Sequence, residues 1–386
     1  VKILAVVSGS NGDLTPFISV ALRLRELGHE TIFAIPIDLE HQLENYSFEY
    51  KIFMKLAPDD QDQLEYHDFI HKIVQKNQGG SLEYFDFVNE MCDGVSLILR
   101  NPHSPLGHII AEYNNIPCVD IFLSPMYFSG DSQKYFFNSL FLEKTNELRL
   151  KLGLPEATDV PFNVFKYDNL KIAGYPKFYV DKLRSNLELE YIFSHPNLRY
   201  SNFPPLFHNL ELSQETLDFI NAGEPPVAFD MGTGGIVLTN PKNLWEIAYE
   251  LGKNEKRMII LHEQGDLPSH PNVHFLPGIV PHHKLYPLCS LVINHGGLGT
   301  IGKCLWSDVP QVCIPQMVEN ELCASLMSDM ITTVHPNDVT YERLAQLISD
   351  PEYNHTLAKE RGDFIRNHDG VEMIVNILKE YKYLDE

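Results

Sequence analysis

At 386 residues and 44% hydrophobic content, the chain exceeds one typical domain and is expected to build two, each with a substantial core. Asp and Glu number 52 against 30 Lys and Arg, a formal net charge of −22, which opposes binding of nucleic acid or an anionic bilayer through bulk charge. No apolar run approaches the ~20 residues that a membrane span requires, and the six cysteines form no Cys-x-x-Cys pair, so buried free thiols are expected.

The chain enters a strand at once, Lys2 to Val7, with no basic stretch or cleavage-like segment ahead of it, as expected of a cytoplasmic protein. Ser8-Gly9-Ser10-Asn11-Gly12-Asp13 follows as a loop. Pro16 opens a helix-like run in which Phe17, Val20, Ala21, Leu24 and Leu27 share one face, and Gly28 ends it. With a second strand, His29 to Pro36, this is one β-α-β unit. Its glycine loop is not G-x-G-x-x-G, so no dinucleotide fingerprint is present. Asp13 stands at the strand-to-helix junction, where a parallel sheet exposes its carboxyl edge. By position alone it reads as an acid favoured near a helix N-terminus.

Residues 38–90 are more polar and less regular. Asp60-Gln61-Asp62 is a literal D-x-D, read as a solvated acidic loop. His67 and His71 share a helix face but lack a third ligand, so no metal site is expected. Val95 to Leu99 reads as a strand, Gly107 to Tyr113 as a helix and Ile116 to Leu123 as the next strand. Pro125, Met126, Tyr127 and Phe128 at its end, continued by Tyr135, Phe136, Phe137 and Phe141, form an aromatic stretch that suits either core or an apolar pocket. Residues 156–205 show no period and read as irregular structure leading to a linker.

Val227 to Met231 is the first strand of the second half, and Gly232-Thr233-Gly234-Gly235 follows as a glycine-rich turn fit for a phosphate. Arg257 to Leu261 and Val273 to Leu276 are further strands, then Gly278-Ile279-Val280-Pro281-His282. Leu291 to Ile293 runs without charge into His295-Gly296-Gly297-Leu298-Gly299-Thr300, with a helix expected from Ile301 onward. Strand end, glycine turn and helix N-terminus together make an anion site, to which His295 adds a donor and Thr300 a hydroxyl. Past the strand Gln311 to Ile314, Glu319 and Asn320 place an acid beside an amide, a pair suited to hydroxyls. Helices are expected over Val339 to Leu347, Tyr353 to Phe364 and beyond Asp369-Gly370.

The segments NHGGLGT and DVPQVCIPQMVEN resemble the donor-site signature of the family 1 nucleotide-sugar glycosyltransferases, of the two-domain GT-B fold. GSNGDLTPFISVALRLRELGHE is similar to the opening of the sterol, glycopeptide and rhamnolipid branches. AEYNNIPCV, NELR with LGLP, and FINAGEPPV resemble further steps of that pattern. The resemblance implies an α/β fold of two doubly wound, Rossmann-like domains facing across a cleft: 1–205 for the acceptor, 206–365 for the donor, and 366–386 as a helix crossing back. It implies metal-independent, inverting transfer of a hexose from UDP- or dTDP-sugar to a hydroxyl of a small apolar acceptor: a sterol, lipid or natural product.

In that pattern Asp13 is the general base, and Asn101 occupies the place of the aspartate that orients a histidine base in other members. Gly12, Gly232, Thr233, Ile279, His282, His295, Gly297, Leu298, Gly299, Thr300, Glu319 and Asn320 fall at donor positions, and Pro125 to Phe128 at acceptor positions. No metal and no cofactor beyond the nucleotide-sugar co-substrate is implied, nor nucleic acid, and peripheral membrane contact is compatible with such an acceptor. An epimerase or hydrolase of nucleotide sugars on the same fold, or a non-catalytic binder, are the alternatives. The set Asp13, His295 and Glu319 favours transfer.

Overall fold

The computed structural model describes residues 1–54, 82–103, 105–128, 131–158, 168–204, 210–232, 243–261, 267–278 and 280–384. They divide into two compact units. The first holds the described residues up to 204 and from Asp369 onward, and the second those from 210 to His368.

The first unit is built on a seven-stranded parallel sheet: β1 (Lys2–Val6), β2 (Glu30–Pro36), β3 (Glu49–Met54), β4 (Leu97–Arg100), β5 (Cys118–Phe122), β6 (Leu170–Ala173) and β7 (Leu198–Tyr200), in the order β3-β2-β1-β4-β5-β6-β7. Among the described residues up to 204, its helices of eight residues or more are α1 (Asn11–Glu26), α2 (Leu82–Asn89), α3 (Leu106–Asn114) and α4 (Asp131–Lys151). The chain runs outward from β1 to β3 and then returns to lay β4 against the other side of β1. The sheet's switch point, where a doubly wound fold opens a crevice at its carboxyl edge, therefore falls between β1 and β4.

Alternation along β1 explains the two cores. Ile3, Ala5 and Val7 point to a cluster with Phe17, Val20 and Leu24 of α1, while Leu4 and Val6 point to Phe85, Val88 and Ile110 from α2 and α3. Both faces are covered, so the strand reads as an unbroken apolar run. Burying each such aliphatic side chain contributes ~1.5–3 kcal/mol.

The second unit has a six-stranded parallel sheet: β8 (Val227–Asp230), β9 (Met258–Leu261), β10 (Val273–Leu276), β11 (Leu291–Asn294), β12 (Gln311–Cys313) and β13 (Thr332–Thr333), ordered β10-β9-β8-β11-β12-β13. With it come α5 (Gln214–Asn221), α6 (Leu244–Asn254), α7 (Leu298–Trp306), α8 (Val318–Leu326), α9 (Tyr341–Ser349) and α10 (His355–Asn367). Its switch point lies between β8 and β11.

The last helix, α11 (Gly370–Glu380), belongs to the first unit. Asp369 caps it, accepting from the N–H groups of Val371 and Glu372, and Ile374, Val375 and Leu378 complete the core under α1. Glu372 pairs with Arg23 of α1.

Several elements depart from the sequence reading. Helix α1 starts at Asn11, not at Pro16, because Ser10 and Asp13 form a capping box that begins the helix one turn and more upstream. Likewise α7 begins at Leu298 rather than Ile301, so Leu298, Gly299 and Thr300 are its first turn. Strand β3 and helix α2 lie in the stretch read as irregular, and β6 and β7 in the stretch read as linker. All six cysteines are free, as expected, and burial pushes the Cys313 thiol up to about 12. Among the described residues no helix is long and apolar enough to cross a membrane.

Candidate active site

Two groups of polar side chains sit at the two switch points, one in each unit. In the first unit, β1 leads through Gly9 into α1, and Asp13 is the third residue of that helix. One carboxylate oxygen, Oδ2, is committed to the cap: it accepts the Ser10 backbone N–H at 2.7 Å and the Ser10 hydroxyl at 3.0 Å. Gly9 holds a φ of +118°, and a Cβ there would lie 2.3 Å from that oxygen, so the turn that seats Asp13 requires glycine. The other oxygen, Oδ1, faces the loop that leaves β4. Asn101 Nδ2 stands 3.4 Å from it and His103 Nδ1 3.5 Å. The side chains of Asp13 and His103 remain 14% and 21% exposed.

Asn101 is itself fixed. Its Oδ1 accepts the Ser8 N–H at 3.0 Å and its Nδ2 donates to the Ser8 carbonyl, which ties the β4 loop to the end of β1. The same Nδ2 lies 3.1 Å from His103 Nδ1. Tyr127 meets the His103 ring edge-on, with centroids 5.7 Å apart. Pro125, Met126, Tyr127 and Phe128 are all buried, and Phe128 stacks on Phe193 and packs against Phe122, so this stretch is largely core. Gly12 donates its N–H to the Ser10 hydroxyl and belongs to the cap.

In the second unit, Asp230 ends β8 and Asn294 ends β11, and the two are register partners. Each accepts the backbone N–H two residues on: Gly232 to Asp230 Oδ1 and Gly296 to Asn294 Oδ1, both at 2.8 Å. These matched side-chain turns carry the chain from the ends of the paired strands into Gly232 and Gly296. The His295 ring lies between them. A Cβ on Gly232, whose φ is +63°, would come within 2.8 Å of the ring, and one on Gly297 within 2.4 Å. Beyond the ring, α7 presents the first-turn N–H groups of Gly299 and Thr300, which have no carbonyl partner within their own helix.

Beneath the Gly232 turn, the nearly fully buried Asp230 carboxylate also accepts from the Tyr286 hydroxyl at 2.5 Å and from His282 Nε2 at 3.1 Å. Lys303 Nζ approaches His282 Nδ1 at 3.5 Å. An ammonium can only donate, so this geometry assigns His282 the neutral tautomer protonated at Nε2. Burial lowers the Lys303 pKa, and the Asp230 charge works in the opposite sense. Burial, with Asp230 beside it, holds the Tyr286 hydroxyl well above its ordinary value.

Glu319 and Asn320 lie in the first turn of α8. Glu319 is half-buried. Asn320 is 4% exposed and sits against Gly296, and its Oδ1 makes no hydrogen bond among the described residues. Thr233, Ile279, the D-x-D and His67 with His71 lie outside the described residues. Among those described, no three His, Cys, Asp or Glu side chains are grouped to hold a metal ion.

The sequence reading missed Asp230, Asn294, Lys303 and His103. The first two carried a usable signal: Asp-Met-Gly and Asn-His-Gly are the same Asx-x-Gly pattern at a strand end. His103 carried none.

No family model matches the chain. It is 23% identical over 361 residues to an uncharacterised glycosyltransferase of Mycobacterium leprae, covering 84% of this chain and 82% of that protein. It is 22% identical over 435 residues to the O-mycaminosyltylonolide 6-deoxyallosyltransferase of Streptomyces fradiae, covering 98% and 97%. A sterol 3-beta-glucosyltransferase of Debaryomyces hansenii is 22% identical over 83% of this chain, which spans 23% of that protein's length. The solved kitacinnamycin glycotransferase superposes with a TM-score of 0.73 at 17% identity across 98% of both chains. SsfS6 of Streptomyces sp. SF2575, solved with thymidine diphosphate, superposes at 0.66 with 18% identity over 97% of this chain and 99% of that one. Sequence relatives named as glycosyltransferases and solved neighbours with the two-sheet architecture agree: the chain is similar to glycosyltransferases and has the GT-B fold.

Proposed function

We propose that the second unit binds a UDP- or dTDP-hexose and the first an apolar, hydroxyl-bearing acceptor, a sterol, lipid or natural product, in a cytoplasmic, metal-independent and inverting transfer. The observation that carries the donor half is the pair of turns at the β8/β11 switch point, anchored by Asp230 and Asn294, the second of which leads directly into the first turn of α7. Backbone N–H groups and a helix N-terminus are suited to a diphosphate and stabilise the charge that develops as it leaves. Thymidine diphosphate in a structural neighbour supports a nucleotide ligand here. His295 adds a donor beside the phosphates, and Glu319 accepts from sugar hydroxyls, with Asn320 behind it.

In the first unit Asp13 has one oxygen held closely by the cap and the other, Oδ1, met only at 3.4 Å by Asn101 and 3.5 Å by His103. That suits a general base taking the acceptor's proton as its oxygen attacks the anomeric carbon. The acceptor O–H bond breaks as the O–C bond forms, and the nucleoside diphosphate departs with the electron pair of the sugar–phosphate bond.

The testing experiment is a thermal-shift panel of UDP, dTDP, UDP-glucose, UDP-GlcNAc and dTDP-glucose on the wild type and on His295→Ala. The expected outcome is stabilisation by one nucleotide series, with affinity about tenfold weaker in the variant, ~1.4 kcal/mol. Absence of any response in the wild type, or equal affinity in both proteins, overturns the donor-site assignment.

A further inference from the structure

We propose that His103 is a positioning residue that serves as the final proton store for Asp13, so that the base is a carboxylate–imidazole pair joined across the β1/β4 switch point. The proposal rests on the reading of Asp13 as base. It starts from the inequality of the two carboxylate oxygens. Oδ2 is held by two cap donors, so an incoming proton lands on Oδ1, the oxygen that His103 Nδ1 faces at 3.5 Å. Bonds of this kind are often long before substrate binds and tighten in the working complex.

The hydrogen-bond pattern sets the resting state. Ser8 pins both ends of the Asn101 amide, which leaves its second N–H between His103 Nδ1, 3.1 Å away, and Asp13 Oδ1, 3.4 Å away. With that N–H on the nearer ring nitrogen, Nδ1 carries no proton and His103 is the neutral tautomer protonated at Nε2; Nδ1 takes a proton as the N–H leaves it for Oδ1. When Asp13 takes the acceptor's proton on Oδ1, that proton passes to Nδ1. Asn101's N–H then turns to Asp13 Oδ1, 3.4 Å away, and steadies the restored carboxylate. The imidazolium later loses a proton to solvent. Proton count and charge balance at each step, and no further reactant is needed.

The direction of transfer follows from side-chain chemistry: an imidazole nitrogen is a stronger base than a carboxylate oxygen, so a proton delivered to Asp13 moves on to His103. Among the described residues, the titratable groups facing His103 are Asp13 from α1 and Tyr127 from the turn after β5.

The first test needs no substrate. The His103 ring is titrated by NMR in the wild type and in Asp13→Asn. A wild-type midpoint at least half a pH unit above that of Asp13→Asn is expected, and identical midpoints overturn the pairing. The second test compares kcat and KM across pH for wild type, His103→Gln and Asp13→Asn, using UDP-glucose and dTDP-glucose with ergosterol and with 4-nitrophenol. With ergosterol, His103→Gln is expected to lower kcat by tenfold or more at unchanged KM, and to move the acidic limb of the profile down from the imidazole range. With 4-nitrophenol at a pH where it is already ionised, the loss is expected to disappear, a rescue that a purely structural lesion would not give. An inactive Asp13→Asn beside a His103→Gln with wild-type rate and profile overturns the proton store alone. A fully active Asp13→Asn overturns the base reading on which it rests.

Discussion

Asp230 and Asn294 stand opposite each other in the register of adjacent parallel strands and do the same job one strand apart, each accepting the N–H two residues on. They differ in what lies behind them. Asn294 donates to Gln311 and accepts from the Cys313 thiol, a neutral and fully buried set. Asp230 carries a charge and gathers Gly232, Tyr286 and His282 around it.

That difference predicts the effect of Asp230→Asn. The amide keeps one acceptor oxygen, for Gly232, and turns an NH2 toward two donors, the buried Tyr286 hydroxyl and the partly exposed His282 ring. Leaving them unsatisfied costs ~1–3 kcal/mol each. A loss of about 3 kcal/mol is expected in urea unfolding, whereas a neutral outcome would mean that Tyr286 and His282 find other acceptors.

Gly232→Ala places a side chain in a left-handed conformation and against the His295 ring. The backbone strain alone is worth ~1 kcal/mol. Calorimetry with UDP and dTDP is expected to show at least a tenfold loss of nucleotide affinity together with a lower Tm. Wild-type affinity would show that the ring's seat between the turns is dispensable.

His108 gives the fold a pH dependence of definite sign. Burial, with the Arg100 charge beside it, depresses its pKa to about 4, so the folded protein keeps it neutral. The unfolded chain takes up a proton as pH falls below ~6.5, and the folded chain does not until about 4. The unfolded state therefore binds more protons in that window and stability falls with pH across it. The full difference is about 3 kcal/mol at ~1.4 kcal/mol per unit. The gap in urea midpoint between wild type and His108→Gln should change steadily between pH 7 and 4, and a constant gap would refute the assignment.

Metal removal is expected to leave transfer intact. Turnover measured before and after EDTA should agree within error, and a loss restored by Mn²⁺ would overturn the metal-independent reading.

What could be read in the sequence follows from how each side chain is buried. Strand β11 was legible because both faces are covered, which leaves an apolar run stopped by glycines. Strand β6 was hidden by Lys171, a charged residue in a fully buried strand. In the fold Lys171 is register partner to Asp120, which also binds Arg100, and its ammonium donates to Asn169. Only the alignment of three strands makes that charge tolerable, and a linear reading has no access to it. The same holds for the first-unit site. Asp13 and His103 are far apart in sequence and meet because β4 returns beside β1. The start of α1 was legible in principle, since Ser10-x-x-Asp13 is a capping pattern, but Pro16 drew the boundary downstream.

The placement of α11 has a consequence for the order of events during synthesis. The second unit's described residues all fall between 210 and His368, so its core can close as soon as that stretch has emerged from the ribosome. The first unit begins earlier yet must wait. The face of α1 that Ile374, Val375 and Leu378 cover stays open until the segment after Asp369 is made. The helix that carries Asp13 is thus translated before the described residues of the second unit and seated after them. A nascent chain halted before Gly370 would hold a finished second unit and a first unit with the helix that carries Asp13 still exposed along one side.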